Sequence, residues 1–144
     1  IGKVEKIKNG TDITVVSYGS TLKIIEKAEK ELQKFNISCE IIDCQSLIPF
    51  DLDNDICESV KKTNRVIIID EDFSGGATAY ILDNLINKQN IYNYLDSRPH
   101  TLSAQDHRAA YGTDGDYFSK PSIDEVFNKI YSVMNELNPE EYPI

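Results

Sequence analysis

Residues 66–76 constrain the fold of this chain more than any other segment does. A β-branched apolar run ends in the acids Asp70, Glu71 and Asp72, and a Ser-Gly-Gly turn then leads into a helical pattern. Such a short apolar run is typical of a strand that is buried on both faces of a parallel sheet. Because open α/β sheets bind ligands at the carboxyl ends of their strands, the three acids form the first candidate site.

Strand-like and helix-like segments alternate through the first half of the chain. Three strands are predicted, over residues 13–18, 38–43 and 65–70. Each strand is followed by a predicted helix. The first covers residues 21–35, the second runs from the acids at 51–55 to residues 63–64, and the third begins at Gly75. This alternation at short spacing predicts a parallel sheet with right-handed crossovers and helices on both faces.

The second half of the chain is less regular. Residues 91–96 and 100–104 are short and are predicted as edge strands, since Pro99 argues against a central position. Residues 106–121 contain Gly, Asp and aromatic residues without a period, which predicts an ordered loop. Ser122 is expected to cap a last amphipathic helix, which ends before Pro139.

These elements define one fold class. We predict a single α/β domain over residues 1–144, built as a three-layer αβα sandwich. Its sheet is expected to be five-stranded and mostly parallel, with room for one antiparallel edge strand. The chain opens at Ile1 without a methionine, so we expect an excised piece of a larger protein.

The formal net charge of −9 argues against nucleic acid as a partner and favours a basic protein. No apolar run is long enough to span a membrane. The cysteines Cys39, Cys44 and Cys57 are odd in number and lack metal-type spacing. We therefore expect reduced thiols packed in the core, as in a cytoplasmic protein, with a catalytic or redox cysteine as the alternative.

The acids at 70–72 allow two interpretations. Clustered carboxylates could hold a divalent cation or act as general acids and bases. A receiver domain would also need acids after the first strand, where Ser17 and Tyr18 stand instead. The alternative is that the acids face water and cap the next helix. Gly75 and Gly76 match no phosphate-binding fingerprint and are expected to form a turn.

Other motifs also have a structural alternative. His100 and His107 could act as general bases, but neither has an evident nucleophile or carboxylate partner, so structural or surface roles are favoured. Asp114, Gly115 and Asp116 resemble the start of a calcium loop, but the glycine is misplaced, which favours a turn. The residues alone therefore define no catalytic constellation.

Several stretches resemble the C-terminal domain of the transketolase superfamily. Residues 9–19 are similar to the start of that domain, and residues 43–51 resemble its D-L-R-(S/T)-(L/I)-x-P-x-D stretch, with Gln45 in place of the usual arginine. Residues 66–76 resemble its strand, acids and glycine turn, and residues 111–121 resemble a variant from fused α/β enzymes. The likeness is greatest to the β subunit, or the fused α/β form, of thiamine-diphosphate-dependent 2-oxo acid dehydrogenases of the pyruvate or branched-chain type.

The resemblance implies a role in assembly. In the family, thiamine diphosphate and magnesium are bound by two other domains, so this fragment is expected to bind neither and to be inactive alone. The family's C-terminal domain helps to form the oligomer and docks a small basic domain of the dihydrolipoyl acyltransferase. Tyr94-Leu95-Asp96 matches its (F/Y)-L-D docking step, so Asp96 and the chain end at Ile144 are the candidate partner-binding residues. The alternative for Asp96 is a solvated loop acid.

Three other hypotheses remain open. The domain could belong to another transketolase-like enzyme, such as deoxyxylulose-phosphate synthase or transketolase itself. A stand-alone acidic α/β module could bind a metal or another ligand at Asp70, Glu71 and Asp72. A small hydrolase could use Ser20 or Cys44, each of which follows a predicted strand.

Overall fold

A computed structural model describes residues 1–108 and 111–144 of the chain, and within them five strands form one sheet. The strands are β1 (Glu5–Lys8), β2 (Ile13–Ser17), β3 (Cys39–Asp43), β4 (Val66–Phe73) and β5 (His100–Ala104). Their order across the sheet is β1-β3-β2-β4-β5. The β1–β3 pair is antiparallel and the other three pairs are parallel. The predicted α/β fold, with a mostly parallel five-stranded sheet and one antiparallel edge strand, is confirmed.

The helices in the described residues connect and cover the strands. They are α1 (Thr21–Leu32), α2 (Asp55–Thr63), α3 (Ala77–Asp83), α4 (Gly115–Ser119) and α5 (Ile123–Leu137). A 3-10 turn at Gln33–Phe35 extends α1, and a π-helical turn at Asn84–Lys88 continues α3. Ser122 and Glu125 form a complete capping box at the start of α5, as the sequence pattern predicts for Ser122.

The hydrophobic core lies on both faces of the sheet. In β4, Ile67 and Ile69 pack into one cluster together with residues of α1 and α5. Val66 and Ile68 pack into a second cluster together with residues of α2 and α3. Because side chains alternate between the faces of a strand, an uninterrupted β-branched run supplies both clusters. This arrangement gives the three layers that the sequence predicts.

Two predictions for the second half need correction. Residues 91–96 are not a strand, because Asn90 adopts a left-handed conformation and a 3-10 helix follows at Ile91–Tyr94, with Ile91 as its only buried residue. Residues 106–121 are not entirely loop, since they contain α4. Residues 109 and 110 and the side chain of Asp116 lie outside the described part. The turn predicted over residues 114–116 holds only at Asp114, because the backbone of Gly115 and Asp116 belongs to α4.

Strand β1 was not predicted from the sequence, because it buries almost no apolar surface. Two ion pairs hold it instead. Lys6 Nζ lies 2.5 Å from the buried carboxylate of Glu40, which also contacts Lys62, and Lys8 Nζ lies 2.5 Å from the buried carboxylate of Glu29. An irregularity in the register between Lys6 and Lys8 lets two lysines two positions apart reach acids on different elements.

Candidate functional site

The carboxyl rim, defined as Tyr18, Asp70, Glu71 and Asp72, lies where β2 and β4 end. Asp70 is 2% exposed, and its Oδ2 accepts a hydrogen bond of 2.8 Å from the Tyr18 hydroxyl. Burial raises the pKa of Tyr18, and the hydrogen bond to Asp70 raises it further. Asp70 therefore joins two neighbouring strands through an internal bond.

The other two acids of the carboxyl rim are exposed to solvent. Glu71 Oε2 accepts a 3.3 Å hydrogen bond from the Ser20 hydroxyl and lies 3.5 Å from Lys120 Nζ. Asp72 accepts a 2.9 Å hydrogen bond from the Phe73 amide. Gly76, the N-cap of α3, has no side-chain cap. The prediction that the acids face water thus holds for Glu71 and Asp72 and is wrong for Asp70.

The donor set of the carboxyl rim does not fit a diphosphate or a metal ion. Its exposed groups are carboxylates, which repel phosphate, and α3 has only seven residues. Among the described side chains, which leave out residues 109 and 110 and Asp116, no three His, Cys, Asp or Glu side chains are grouped so that they could hold a metal ion. No step of thiamine diphosphate chemistry can therefore be assigned to these residues.

The candidate nucleophiles and bases are also poorly placed for catalysis. Cys44 is buried, and desolvation raises its pKa to about 12, which keeps the thiol protonated. Cys39 and Cys57 are buried free thiols as well, in agreement with the predicted packing role. His100 is 4% exposed in β5, and its Nε2 has no hydrogen-bond partner among the described residues. His107 is exposed and contacts the Arg108 carbonyl at 2.7 Å.

The amino rim, defined as Asp12, Arg65 and Asp96, lies where β2, β4 and β5 begin. Arg65 Nη2 donates to Asp96 Oδ2 at 3.0 Å, and Arg65 Nη1 donates to the Asp12 carbonyl at 2.9 Å. The Asp96 amide donates to the Asn64 carbonyl at 2.9 Å. Asp96 is therefore held in place, while its side chain remains 41% exposed.

Asp96 lies at an open cleft of about 400 Å³. Tyr92, Leu95 and Pro99 supply its apolar wall, and Arg98 stands beside Asp96 in the lining. Tyr92 is 70% exposed, so an aromatic ring is available next to the carboxylate. An exposed aromatic ring beside a half-exposed acid is suited to a partner that combines apolar and basic side chains.

Residues 138–144 fold back along α5. Tyr142 is buried, its carbonyl accepts a 2.7 Å hydrogen bond from Asn135 Nδ2, and the Pro143 carbonyl accepts one of 3.0 Å from the Tyr131 hydroxyl. Burial raises the pKa of Tyr142, and the charge of Glu141, followed by that of Asp12, adds to the increase. Ile144 itself is 96% exposed.

Sequence reasoning missed the partners of both predicted acids. The amino ends of neighbouring parallel strands meet at one rim, so Arg65, which precedes β4, could have been paired with Asp96, which precedes β5. Likewise, the residue after β2 could have been placed beside the end of β4, which gives the Tyr18–Asp70 bond. The missing information was the order of the strands across the sheet.

The sequence belongs to a known family. The family model described as transketolase, C-terminal domain, matches residues 2–117. The chain is therefore a member of the transketolase C-terminal domain family.

Its relatives include β subunits of the pyruvate dehydrogenase E1 component. The chain is 31% identical to the Rickettsia bellii subunit over 132 residues, which are 92% of this chain and 40% of the relative. It is 38% identical to the chloroplastic subunit beta-2 of Arabidopsis thaliana over 104 residues, which are 72% of this chain and 25% of that one. The chain thus spans about two fifths of the first relative and a quarter of the second.

Solved structures share the fold. A split-gene transketolase, described as an inactive beta4 tetramer, superposes with a TM-score of 0.76 at 18% identity, over 93% of this chain and 43% of that one. A transketolase from Campylobacter jejuni superposes with a TM-score of 0.57 at 16% identity, over 91% of this chain and 18% of the other. In the described part of this chain, no helix has the length and apolar character needed to cross a membrane.

Proposed function

We propose that residues 1–144 are the non-catalytic C-terminal assembly domain of a 2-oxo acid dehydrogenase. The parent enzyme would oxidatively decarboxylate pyruvate or branched-chain 2-oxo acids with thiamine diphosphate and magnesium bound on other domains. This domain would contribute to oligomerisation and would dock the dihydrolipoyl acyltransferase core. The relatives named as pyruvate dehydrogenase β subunits support this assignment.

The observation that carries the proposal is the exposed face of Asp96. The carboxylate is fixed by Arg65 at 3.0 Å yet remains accessible beside an apolar cleft. A basic subunit-binding domain of an acyltransferase could place a lysine or arginine at this carboxylate and an apolar side chain against Tyr92. The overall charge of −9 favours the encounter with such a partner. Ile144 is the second proposed contact, because the family resemblance gives the chain end a docking role and Ile144 is 96% exposed.

The parent enzyme is expected to act in the cytoplasm. All three cysteines are free and buried, as in a reducing compartment. The metal-binding hypothesis loses support because Asp70 is used internally, and the hydrolase hypothesis loses Cys44 as a nucleophile because its pKa is raised to about 12. Assignment to another transketolase-like enzyme rests on structural matches of 18% identity or less, which carry the fold alone.

Titration calorimetry of the chain against a basic subunit-binding domain tests the docking proposal. We expect binding that weakens as salt rises, because rim charges are screened. Asp96→Asn should weaken it by about tenfold or more, since loss of a charged interfacial contact costs about 1.5 kcal/mol or more. Asp83→Asn, at an exposed acid on α3, is the matched control and should leave the affinity unchanged. Equal affinity for both variants and the parent chain would reject Asp96 as a contact.

A further inference from the structure

The loop formed by residues 46–52, which follows β3, presents apolar side chains to solvent although it is firmly held. Ile48 is 83% exposed and Leu52 is 63% exposed. The Ser46 hydroxyl donates to the Pro49 carbonyl at 2.8 Å, and the Tyr80 hydroxyl donates to the Leu47 carbonyl at 3.0 Å. The loop therefore holds Ile48 outward in a fixed position, so little conformational entropy would be lost if a partner covered it.

The backbone ahead of β1 is locked onto the same loop. The Gly2 amide donates to the Ser46 hydroxyl at 2.9 Å, and the Gly2 carbonyl accepts from the Leu52 amide at 2.8 Å. Gly2 has a φ of +79°, a backbone conformation that is strained for residues with a Cβ, so glycine is favoured here. Any polypeptide that precedes Gly2 must consequently leave this domain beside Leu52.

We propose that Ile48 and Leu52 form a packing surface for a domain that precedes residue 1 in a longer polypeptide. The family is a C-terminal domain, and the alignment covers 40% of the Rickettsia bellii relative, which leaves most of that protein to other domains. The path of the chain at Gly2 would place such a domain next to this loop. This inference rests on the proposed function only in assigning the chain to a longer enzyme.

A second copy of the chain is a weaker occupant for this surface. Two exposed side chains are far less than the roughly 1,600 Å² that a stable interface between separate proteins buries. A preceding domain is covalently tethered, so it meets the loop at an effective concentration on the order of millimolar, and a small contact suffices. Residues 44–50 carry no charge, and of the two acids beside Leu52, Asp51 is buried and Asp53 is paired with Lys3 at 2.8 Å.

Amide hydrogen exchange tests the proposal in two forms of the protein: the 144-residue chain and the longer polypeptide encoded by the surrounding reading frame. We expect exchange at Leu47 and Ile48 to be about tenfold slower or more in the longer form. Ile48→Ser should abolish that difference. Phe118→Ser, at a residue of 64% exposure on α4, is the matched control and should preserve it. In the 144-residue chain, Ile48→Ser should shift the melting temperature by no more than about 2 °C.

Three outcomes would overturn the proposal. One is equal exchange at Leu47 and Ile48 in both forms. Another is a molar mass of the 144-residue chain in solution that doubles as the concentration rises, while Ile48→Ser stays monomeric. That result would assign the surface to a second copy. The third is a reading frame with no coding sequence ahead of Ile1, which would also remove the assignment to a longer enzyme. Failure of acyltransferase docking at Asp96 alone would leave the Ile48 proposal standing.

Discussion

The carboxyl rim and the amino rim both carry acids, but they use them differently. At the carboxyl rim, Asp70 is 2% exposed and is bound to a hydroxyl from the neighbouring strand. At the amino rim, Asp96 is bound to Arg65 and keeps 41% of its side chain exposed. The carboxyl ends of strands are the usual place for a ligand site in α/β sheets. In this chain Asp70 is used for internal structure, Glu71 and Asp72 stay exposed beside it, and Asp96 is exposed at the opposite rim.

This contrast shows that whether a carboxylate is available to a ligand depends more on its bonding partner than on which end of the sheet it occupies. A buried carboxylate needs hydrogen bonds to compensate for lost hydration, and once these are made it is unavailable to a ligand. A partly exposed ion pair retains part of its hydration, and its acid can still meet a second cation. The following experiments test whether the two rims differ in this way.

The largest effect is expected at Asp51, in the loop that follows the carboxyl end of β3. Asp51 is 2% exposed and accepts hydrogen bonds from the Asp55 and Ile56 amides and from Gln89 Nε2. Asp51→Ala should lower the free energy of unfolding by about 2–3 kcal/mol, because it removes a helix cap and leaves buried donors unpaired. Urea denaturation measures this loss.

The control for Asp51 is Asp53→Ala in the same loop. Asp53 forms a 2.8 Å ion pair with Lys3 at the surface, where such pairs contribute about 0–1 kcal/mol. Similar losses in the two variants would show that burial does not distinguish these acids.

A smaller loss is expected when the internal bond of the carboxyl rim is removed. Asp70→Ala should lower the free energy of unfolding by about 1–2 kcal/mol, because the Tyr18 hydroxyl loses its acceptor in a half-buried site. Glu71→Ala should change it by no more than about 0.5 kcal/mol, as is usual for exposed positions. Thermal melting with and without added Mg²⁺ completes the test. A rise in melting temperature with Mg²⁺ that disappears in Glu71→Ala would show that this rim is a ligand site after all.

The sequence predicted the layers of the fold well, because periodicity reports burial directly. The run of β-branched residues in β4 and the apolar stripe of α5 each contribute to a core cluster. Strand β1 was missed because it is attached by charge: Lys6 and Lys8 reach Glu40 and Glu29. A glutamate inside an apolar strand was the available signal, since a buried acid needs a cationic partner.

The candidate site was predictable only in part. Asp96 was found by likeness to a family motif, but its bond to Arg65 depends on the order of strands, which local periodicity does not contain. The burial of Asp70 was missed for the same reason, because the hydroxyl that satisfies it comes from β2, a neighbour in space and distant along the chain. Local pattern identifies elements, whereas contacts between elements decide which polar residues remain available.

A pH-dependent effect is expected at the same end of the sheet as the amino rim, where His100 begins β5. Burial lowers the pKa of His100 below its ordinary value of 6.5, so the unfolded chain binds the proton more readily than the folded one. Stability should be greatest above pH 6.5 and should fall as the pH decreases below it. His100→Asn should flatten the fall between pH 7 and 5 in urea titrations.

Two further features make the pH experiment specific. His107→Asn is the control, because His107 is exposed and should leave the profile unchanged.

Burial acts to raise the pKa of Glu40, but hydrogen bonds from Lys6 and Lys62 outweigh it, so its pKa is lowered. The stability that Glu40 contributes is present above its ordinary pKa of 4.5 and is lost only as the pH falls below that value. If the free energy of unfolding still falls steeply between pH 7 and 5 in His100→Asn, His100 is not the group responsible for that loss of stability.

The smallest effect on stability is expected at the amino rim itself. A double-mutant cycle of Arg65→Met and Asp96→Asn should give a coupling free energy of about 0.2–1 kcal/mol, because the pair is partly exposed and screened. The two single variants should change the docking affinity in opposite directions: Asp96→Asn should lower it and Arg65→Met should raise it. In Arg65→Met, Asp96 no longer shares its charge with an internal cation, so affinity for a basic domain should rise severalfold at low salt. Weaker binding in Arg65→Met would mean instead that Arg65 is needed to hold Asp96 in its binding position. In that case Asp96, like Asp70, would depend on its internal bonding partner.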